Sequence, residues 1–295
     1  MRNLPRGLFI TGTDTGVGKT CVAAHIARAL VAEGRQVGVY KPAASGCARQ
    51  GDRLVSEDAV VLWNAAGRPG ELDRVCPQCF AAPLAPHLAA RAEGREIDAA
   101  LLRQGIEYWR QRSEIVLVEG AGGLMSPMGE RQYVADLAEA FGYPLIVVSR
   151  NVLGTINQTL QTLIAAAAFG GGFASDSRSA AVSAVSGGQD ARAPVSGRPA
   201  TTSTFAKGTV PFSSDENWDS PQLVLGQPLR KQLPGGGLPV AGVVLNHPAL
   251  PPSDDASLAT NREELQSRSP RPILAELFWQ ADDFDAVVDW FSLAR

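Results

Sequence analysis

Short, uninterrupted apolar runs alternate with amphipathic stretches along most of the chain. The apolar runs are rich in Val, Ile and Leu and mostly lack polar alternation, which is typical of strands buried on both faces of a parallel sheet. The predicted strands are Leu8–Thr11, Gln36–Tyr40, Ile115–Val118, Leu145–Val148, Val240–Leu245 and Ile273–Leu277. The predicted helices between them are Lys19–Ala32, Asp58–Ala66, Ile97–Arg110, Val134–Ala140 and Thr155–Ala168. This order predicts a single α/β domain over residues 1–295, with a doubly wound, mainly parallel sheet and helices on both faces.

One segment breaks the alternation. Residues 170–237 begin and end with three consecutive glycines and are dominated by Ser, Ala, Gly, Pro, Thr and Gln. Such a composition buries too little apolar surface to offset the entropy of ordering the chain. We therefore expect a disordered, low-complexity surface insert. The alternative is a partner-binding arm that uses Phe212, Trp218 and Leu223–Leu225.

A glycine-rich loop follows the first predicted strand. Residues 12–20 read Gly-Thr-Asp-Thr-Gly-Val-Gly-Lys-Thr and lead into an amphipathic helix. Gly16 and Gly18 allow the backbone to curl so that its N–H groups face phosphate oxygens. Lys19 adds positive charge at the β- and γ-phosphates, and the Thr20 hydroxyl suits Mg²⁺. The loop predicts a nucleoside-triphosphate site in a fold of the P-loop NTPase type.

The spacing of this loop is unusual. Five residues separate Gly12 from Gly18, one more than in the common pattern. Gly12 is therefore either a glycine that merely ends the strand or the start of a longer loop variant.

Charged residues follow other strands, at the sheet edge where ligands bind in such folds. Lys41 precedes Pro42, which ends the second strand, so Lys41 is a candidate for the terminal phosphate or a merely solvated lysine. Glu119 ends the third strand, and a carboxylate opposite a phosphate loop is typical of a Mg²⁺ ligand. Asp58 begins a helix and is either a second Mg²⁺ ligand or a charge that favours the helix dipole.

The composition argues against nucleic-acid-binding and membrane-spanning functions. The 295 residues carry a net charge of −3, with 27 basic against 30 acidic side chains, so a nucleic-acid partner is not expected. The chain has no apolar run long enough to span a membrane, and Met1–Pro5 has no hydrophobic signal region. We expect a cytoplasmic enzyme with no membrane partner.

Cys76-Pro77-Gln78-Cys79 forms a Cys-x-x-Cys pattern. It is compatible with a redox pair or with half of a zinc site, but the three histidines do not stand at zinc-finger spacing. Two reduced cysteines in a reducing cytosol are the simpler interpretation.

Taken together, several motifs resemble those of the dethiobiotin synthetases, the ATP-dependent carboxylases of biotin biosynthesis. The matching segments are Thr11–Thr20, Tyr40–Pro42, Ser45-Gly46, Ser56–Ala59, Phe80–Pro83, Pro86-His87, Val118–Gly123 and Leu153–Asn157. The resemblance covers residues 7–168 well and 239–280 more loosely. The long spacing before Gly18 is the family's own variant.

The resemblance implies a reaction and its participants. 7,8-Diaminononanoate and CO₂ (or bicarbonate) form a carbamate, ATP phosphorylates it to a carbamic–phosphoric anhydride, and the second amine closes the ring of dethiobiotin. Lys41, Lys19 and Thr15 would be catalytic, with Lys41 countering charge on the transferred phosphoryl group. Thr20, Asp58 and Glu119 would hold Mg²⁺.

The resemblance also implies binding residues. The implied nucleotide contacts are Gly16, Val17, Gly18, Lys19, Thr20, Glu119, Gly120, Ala121, Gly122 and Asn246, the last reading adenine. The implied substrate contacts are Thr15, Lys41, Ser45, Pro83, Gly154 and Asn157. The last two would come from a second subunit, so a homodimer is implied. Phe278 stands where the family often has Pro, and Asp285 where it has a ribose-binding Glu, so the adenine side departs most from the family pattern.

Three other function classes share parts of this pattern. A regulatory ATPase switch of the partition or septum-site type has the same fold, but its additional early lysine is absent at Thr13–Thr15. Amidotransferases that make cobyrinate diamides need a glutaminase domain, for which too few residues follow strand Val240–Leu245. A non-enzymatic nucleotide-binding module would require Lys41 and Glu119 to be incidental.

Overall fold

The computed structural model describes residues 5–169, 236–250 and 255–295, and its centre is a six-stranded sheet. In chain order, the strands are β1 Arg6–Gly12, β2 Val37–Tyr40, β3 Ala48–Gln50, β4 Arg53–Val55, β5 Ile115–Gly123, β6 Leu145–Arg150, β7 Val240–Asn246 and β8 Ile273–Leu277. The central sheet has the order β2-β5-β1-β6-β7-β8, and each neighbouring pair is parallel. β3 and β4 form a separate antiparallel hairpin that the sequence pattern did not predict. The predicted doubly wound parallel sheet is confirmed.

Helices connect the strands. They are α1 Lys19–Ala32, α2 Glu57–Ala65, α3 Leu72–Val75, α4 Pro86–Ala92, α5 Ala99–Gln104, α6 Ile106–Arg110, α7 Val134–Phe141, α8 Thr155–Ala168, α9 Leu258–Arg268 and α10 Trp290–Leu293. The described residues include no helix long and apolar enough to cross a membrane. A cytoplasmic location stays a prediction.

The strands are buried on both faces. Leu8, Phe9 and Ile10 are consecutive in β1 and none of them is exposed. Successive side chains of a strand point to opposite faces, so full burial of consecutive residues requires cover on both faces of the sheet. This is why these strands have continuous apolar sequences.

The prediction of one helix over Ile97–Arg110 is wrong, because the segment breaks at Gly105 into α5 and α6. The hydroxyl of Tyr40 donates to the carbonyl oxygens of both Leu101 and Leu102, at 3.0 Å each. A Cβ at Gly105 would lie 2.4 Å from that hydroxyl. The buried β2 tyrosine therefore occupies the place where a continuous helix would pass.

Most of the predicted insert, residues 170–235, lies outside the described residues, together with Phe212, Trp218 and Leu223–Leu225. The flanking elements meet directly. The N–H of Leu238 donates to the carbonyl of Ala166 at 2.8 Å, so the chain re-enters beside the end of α8 before β7 begins.

A buried polar network joins the carboxyl ends of β6, β7 and β8 to α9. The amide of Asn151 donates to Glu276 Oε1 at 2.6 Å, and His247 Nε2 lies 2.6 Å from the same oxygen. Asn261, on α9, donates to Asn151 Oδ1 at 2.8 Å. These four residues are at least 94% buried, so their side chains depend on one another for hydrogen bonds. The network fixes the ends of three strands.

Replacing Asn261 with Ala should lower the free energy of unfolding by about 1–3 kcal/mol, because it leaves the buried Asn151 without its donor. Urea unfolding followed by circular dichroism measures this change. The matched control is Glu264→Ala on the same helix, whose exposed ion pair with Arg268 contributes roughly 0.5 kcal/mol or less. Equal stability losses in the two variants would contradict the role given to the network.

Candidate active site

A cleft of about 820 Å³ opens at the carboxyl ends of the parallel strands. The loop after β1, the ends of β2, β5 and β7, and the segment after β8 all contribute to its walls. Its lining includes Thr15, Gly16, Gly18, Lys19, Thr20, Lys41, Ser45, Asp58, Ala121, Gly122, Asn246, His247 and Phe278. Ligands bind at this edge in open α/β sheets.

The phosphate loop has the backbone that its glycines were expected to provide. Gly16 and Gly18 have φ angles of 73° and 90°, in the left-handed region that side chains disfavour. Gly18 is also the N-cap of α1. A Cβ there would lie 2.0 Å from Asn246 Nδ2, and that amide donates to the carbonyl of Val17 at 2.8 Å. Asn246 therefore holds the loop in place from β7.

Three of the predicted charged residues meet in one cluster. The ammonium of Lys41 lies 2.5 Å from Glu119 Oε1 and 2.7 Å from Asp58 Oδ2. Lys41 and Glu119 are 4% and 1% exposed, whereas the side chain of Asp58 is about half exposed. The arrangement is a buried lysine held between two carboxylates.

Thr20 completes this cluster. Its hydroxyl donates to Glu119 Oε1 at 2.9 Å, so that oxygen already accepts two hydrogen bonds. The other oxygen, Oε2, is buried and has no hydrogen-bond partner among the described residues. A buried carboxylate oxygen without a hydrogen-bond partner is costly.

The charged side chains of this cluster shift one another's pKa values. Burial disfavours the charged form of Lys41, but Glu119 and Asp58 outweigh it and raise the pKa of Lys41 above its ordinary value. Burial also opposes ionisation of Asp58, yet Lys41 holds the pKa of this carboxyl below its ordinary value. Lys41 is therefore cationic and Asp58 anionic at neutral pH.

Lys19 has a different environment. Burial lowers the pKa of Lys19, with Glu119 opposing the shift, and its ammonium donates to the carbonyl of Asp14 at 3.1 Å. This lysine lies inside the curl of the loop, where the phosphates of a nucleotide would approach.

The structure separates the predicted substrate residues into two groups. Thr15 and Ser45 line the cleft with Lys41. Pro83 does not line it and lies beside Gly46. Gly154 and Asn157 are exposed at the N-terminus of α8 and do not line the cleft of their own chain.

The predicted nucleotide contacts also divide. Ala121, Gly122 and Asn246 line the cleft, but Gly120 faces the interior. A Cβ at Gly120 would lie 2.7 Å from Val134 Cγ1, so this glycine serves packing of β5 against α7.

On the proposed adenine side, Phe278 lines the cleft and stacks on His247, with ring centroids 5.0 Å apart. Asp285 lies outside the cleft lining, and both of its oxygens are engaged. Oδ1 accepts the N–H of Glu276 at 2.6 Å, and Oδ2 pairs with Arg262. These contacts give Asp285 a structural role in holding the segment after β8.

Sequence reasoning missed other groups at the site. His247 follows Asn246 directly, so its position at a strand end was a usable signal. Arg150 ends β6, and its guanidinium donates to the carbonyl of Gly16 at 3.0 Å. His25 and Arg28 line the outer cleft from α1. A helix pattern alone does not single out such residues.

Comparisons with known proteins point to one family. A family model described as an AAA domain matches residues 6–170. The ATP-dependent dethiobiotin synthetase BioD of Anaeromyxobacter dehalogenans (strain 2CP-C) is 36% identical over 279 residues, covering 94% of this chain and 92% of that protein. The synthetase of the same name from A. dehalogenans (strain 2CP-1 / ATCC BAA-258) is 48% identical over 160 residues, 54% of this chain and 69% of that protein.

The solved structures that resemble this chain are less similar to it in sequence than these relatives are. The signal recognition particle receptor FtsY from Elizabethkingia anophelis has a TM-score of 0.46 and 10% sequence identity, covering 99% of this chain and 64% of that one. The sequence relatives carry the assignment: this chain belongs to the family of ATP-dependent dethiobiotin synthetases.

Proposed function

We propose that this chain converts 7,8-diaminononanoate and CO₂ to dethiobiotin, with cleavage of ATP to ADP and phosphate. One amine of the substrate adds to CO₂ and gives a carbamate. A carbamate oxygen attacks the γ-phosphorus and ADP leaves, which forms a carbamic–phosphoric anhydride. The second amine then attacks the carbonyl carbon, phosphate leaves, and the ureido ring closes. The observation that carries this proposal is the buried Lys41 beside the phosphate loop in a member of this ligase family.

The geometry supports a role for Lys41 as an electrostatic catalyst. It is protonated, buried and held by carboxylates rather than water, so little reorganisation is needed when negative charge develops nearby. Thr15 and Ser45, which share the cleft with it, provide hydroxyl groups for the carbamate. Lys19 and the loop amides bind the nucleotide phosphates.

The residues present also fit Mg²⁺. The hydroxyl of Thr20, the half-exposed carboxylate of Asp58 and the unpartnered Oε2 of Glu119 form a set of hard oxygen donors. The described residues contain no group of three or more His, Cys, Asp or Glu that could hold a metal. Mg²⁺ that is shared with phosphates needs only one or two carboxylates, and it would neutralise charge on the β- and γ-phosphates.

The tail of the substrate needs a further site. We propose that the carboxylate of diaminononanoate binds at the N-terminus of α8 in a second copy of the chain, near Gly154 and Asn157. The N-terminus of this 14-residue helix favours an anion. Leu153, beside it, is 83% exposed, and Ile164 on the same helix is 41% exposed. Apolar exposure at this helix supports contact between two copies in a homodimer.

The first test is the substrate dependence of ATP cleavage. We expect ADP release with Mg²⁺ only when diaminononanoate and bicarbonate are added together, and background release with either one alone. Mass spectrometry of the product should detect dethiobiotin. ATP turnover that ignores the diamine but responds to DNA or lipid would place the chain with the regulatory switches instead.

The second test concerns Lys41. Lys41→Ala should lower kcat by about 10²–10³-fold, because a charge aimed at the transferring phosphoryl group is lost. ATP affinity, measured by equilibrium titration, should fall by a much smaller factor than kcat. Lys19→Ala is the comparison and should weaken both kcat and ATP affinity. A Lys41→Ala enzyme that turns over at the original rate would make this lysine a structural ion-pair partner only.

The third test concerns the metal site and compares neighbours in the first turn of α2. Asp58→Ala should raise the Mg²⁺ concentration for half-maximal activity by about tenfold or more. Glu57→Ala removes an exposed carboxylate from the same helix terminus and should leave that concentration unchanged. Mn²⁺ binding in the presence of ADP, followed by electron paramagnetic resonance, gives a readout independent of turnover. Equal effects of the two changes would reduce Asp58 to a helix-dipole charge.

A further inference from the structure

We propose that Cys76 and Cys79 form a reversible disulfide that controls the loop carrying Ser45 in the active site. The thiol of Cys79 lies 3.7 Å from the sulfur of Cys76. A disulfide needs about 2.05 Å between its sulfurs, so the two atoms must approach by roughly 1.6 Å. Side-chain rotation with a small backbone shift would close this gap, because only Pro77 and Gln78 separate the two cysteines.

The pair belongs to a cluster of three thiols. Cys47 lies in hydrogen-bonding contact with Cys79, and both Cys47 and Cys76 are 7% exposed. Cys79 is the more accessible of the three. Among the described residues, no group of three or more His, Cys, Asp or Glu side chains could hold a metal ion, and this includes the three thiols. The sulfurs of Cys76 and Cys79 are close enough to be joined by a disulfide when an oxidant is present.

Backbone hydrogen bonds connect this cluster to the active site. The segment from Lys41 to Cys47 runs beside the segment from Val75 to Ala82. The N–H of Lys41 donates to the carbonyl oxygen of Val75 at 2.7 Å, and that of Gly46 to Ala82 at 3.2 Å. Between them, three further N–H to carbonyl bonds measure 2.9 Å each: Ala44 to Gln78, Phe80 to Ala44 and Cys47 to Phe80. Ser45 sits in the middle of this ladder. A shift of the Cys76–Cys79 segment would therefore be transmitted through these hydrogen bonds to the loop that carries Ser45.

The oxidation is balanced with a disulfide such as oxidised glutathione as oxidant. The thiolate of Cys79 attacks one glutathione sulfur, the glutathione S–S bond breaks, and one glutathione thiolate leaves. The thiolate of Cys76 then attacks the Cys79 sulfur of the mixed disulfide and releases the second glutathione thiolate. The two protein thiol protons go to the released thiolates, so one protein dithiol and one oxidised glutathione give one protein disulfide and two reduced glutathiones.

The environment also predicts slow exchange. The hydrogen bond from Cys47 lowers the pKa of Cys79, but the contact with Cys76 and burial outweigh it and raise this pKa to about 12. Little thiolate is present at neutral pH, so the bond should form over a long incubation and not within one catalytic cycle.

The experiment equilibrates the full chain in buffers of varied reduced-to-oxidised glutathione ratio, then alkylates free thiols and maps disulfides by mass spectrometry. We expect a Cys76–Cys79 bond that appears in one transition and is reversed by dithiothreitol. An absent bond under the most oxidising ratio, or a Cys47–Cys79 bond in its place, would overturn the assignment. This map needs no variant and no enzymatic activity.

The effect on catalysis rests on the proposed function and is measured separately. The oxidised chain should make dethiobiotin with kcat/KM for the diamine lowered by about tenfold or more, because small misplacements of bound groups cost catalysis heavily. ADP affinity should fall by a much smaller factor, since the ladder bonds directly to no residue of the phosphate loop. A chain that makes no dethiobiotin even when reduced refutes the function and leaves the disulfide map standing.

Cysteine variants test whether Cys76 and Cys79 cause the change in activity. The ratio of oxidised to reduced activity should become one in Cys79→Ala, which lacks the attacking thiol. Cys76→Ser should stop at the Cys79–glutathione mixed disulfide, which mass spectrometry detects as an added glutathione. The ratio should stay low in Cys47→Ser and in Cys21→Ser, whose cysteine is exposed and outside the cluster. A response that survives in Cys79→Ala, or a mapped bond without any change in kcat/KM, would refute control of the site by this pair.

Discussion

The candidate active site depends on the ion pair between Lys41 and Glu119. Each residue is almost completely buried, and each compensates a charge that would be costly to bury alone. The Lys41 ammonium, just after β2, lies 2.5 Å from Glu119 Oε1 in β5. The Thr20 hydroxyl, at the start of α1, donates to the same carboxylate oxygen. One buried carboxylate thus connects three elements that come from distant parts of the chain.

The same contact explains why the two lysines of the site differ. Lys41 lies between two carboxylates, which raise its pKa. Burial lowers the pKa of Lys19, and among the described residues its ammonium donates to a carbonyl oxygen, so an anionic ligand would compensate its charge. This difference is the one expected if Lys41 acts in catalysis and Lys19 in phosphate binding.

Much of the fold was predictable because its strands are buried on both faces and therefore read as continuous apolar runs. The predicted strand over residues 115–118 was too short, because β5 continues through the glycines after Glu119. The break at Gly105 was not predictable, since it depends on the hydroxyl of Tyr40, a residue far away along the chain. Short elements such as α3 and the β3–β4 hairpin carry too few residues to show a period.

The backbone positions of the candidate site were also predictable, because they follow from the parallel sheet. Lys41, Glu119 and the loop stand at strand ends, and parallel strands bring their ends to one edge. That rule places backbone positions, but it does not choose hydrogen-bond partners. It gave no sign that Asn246 would brace Val17, or that both oxygens of Asp285 would be engaged away from the cleft.

Gly18 meets two requirements of the loop. Because glycine has no side chain, it adopts the left-handed backbone and leaves room for the Asn246 amide to reach the carbonyl of Val17. A Cβ at this position would displace that amide and break its hydrogen bond to Val17. The amide in turn belongs to a strand whose next residue, His247, joins the buried network with Glu276. The phosphate loop is therefore connected, through the Asn246 amide and the adjacent His247, to the buried network at the ends of β7 and β8.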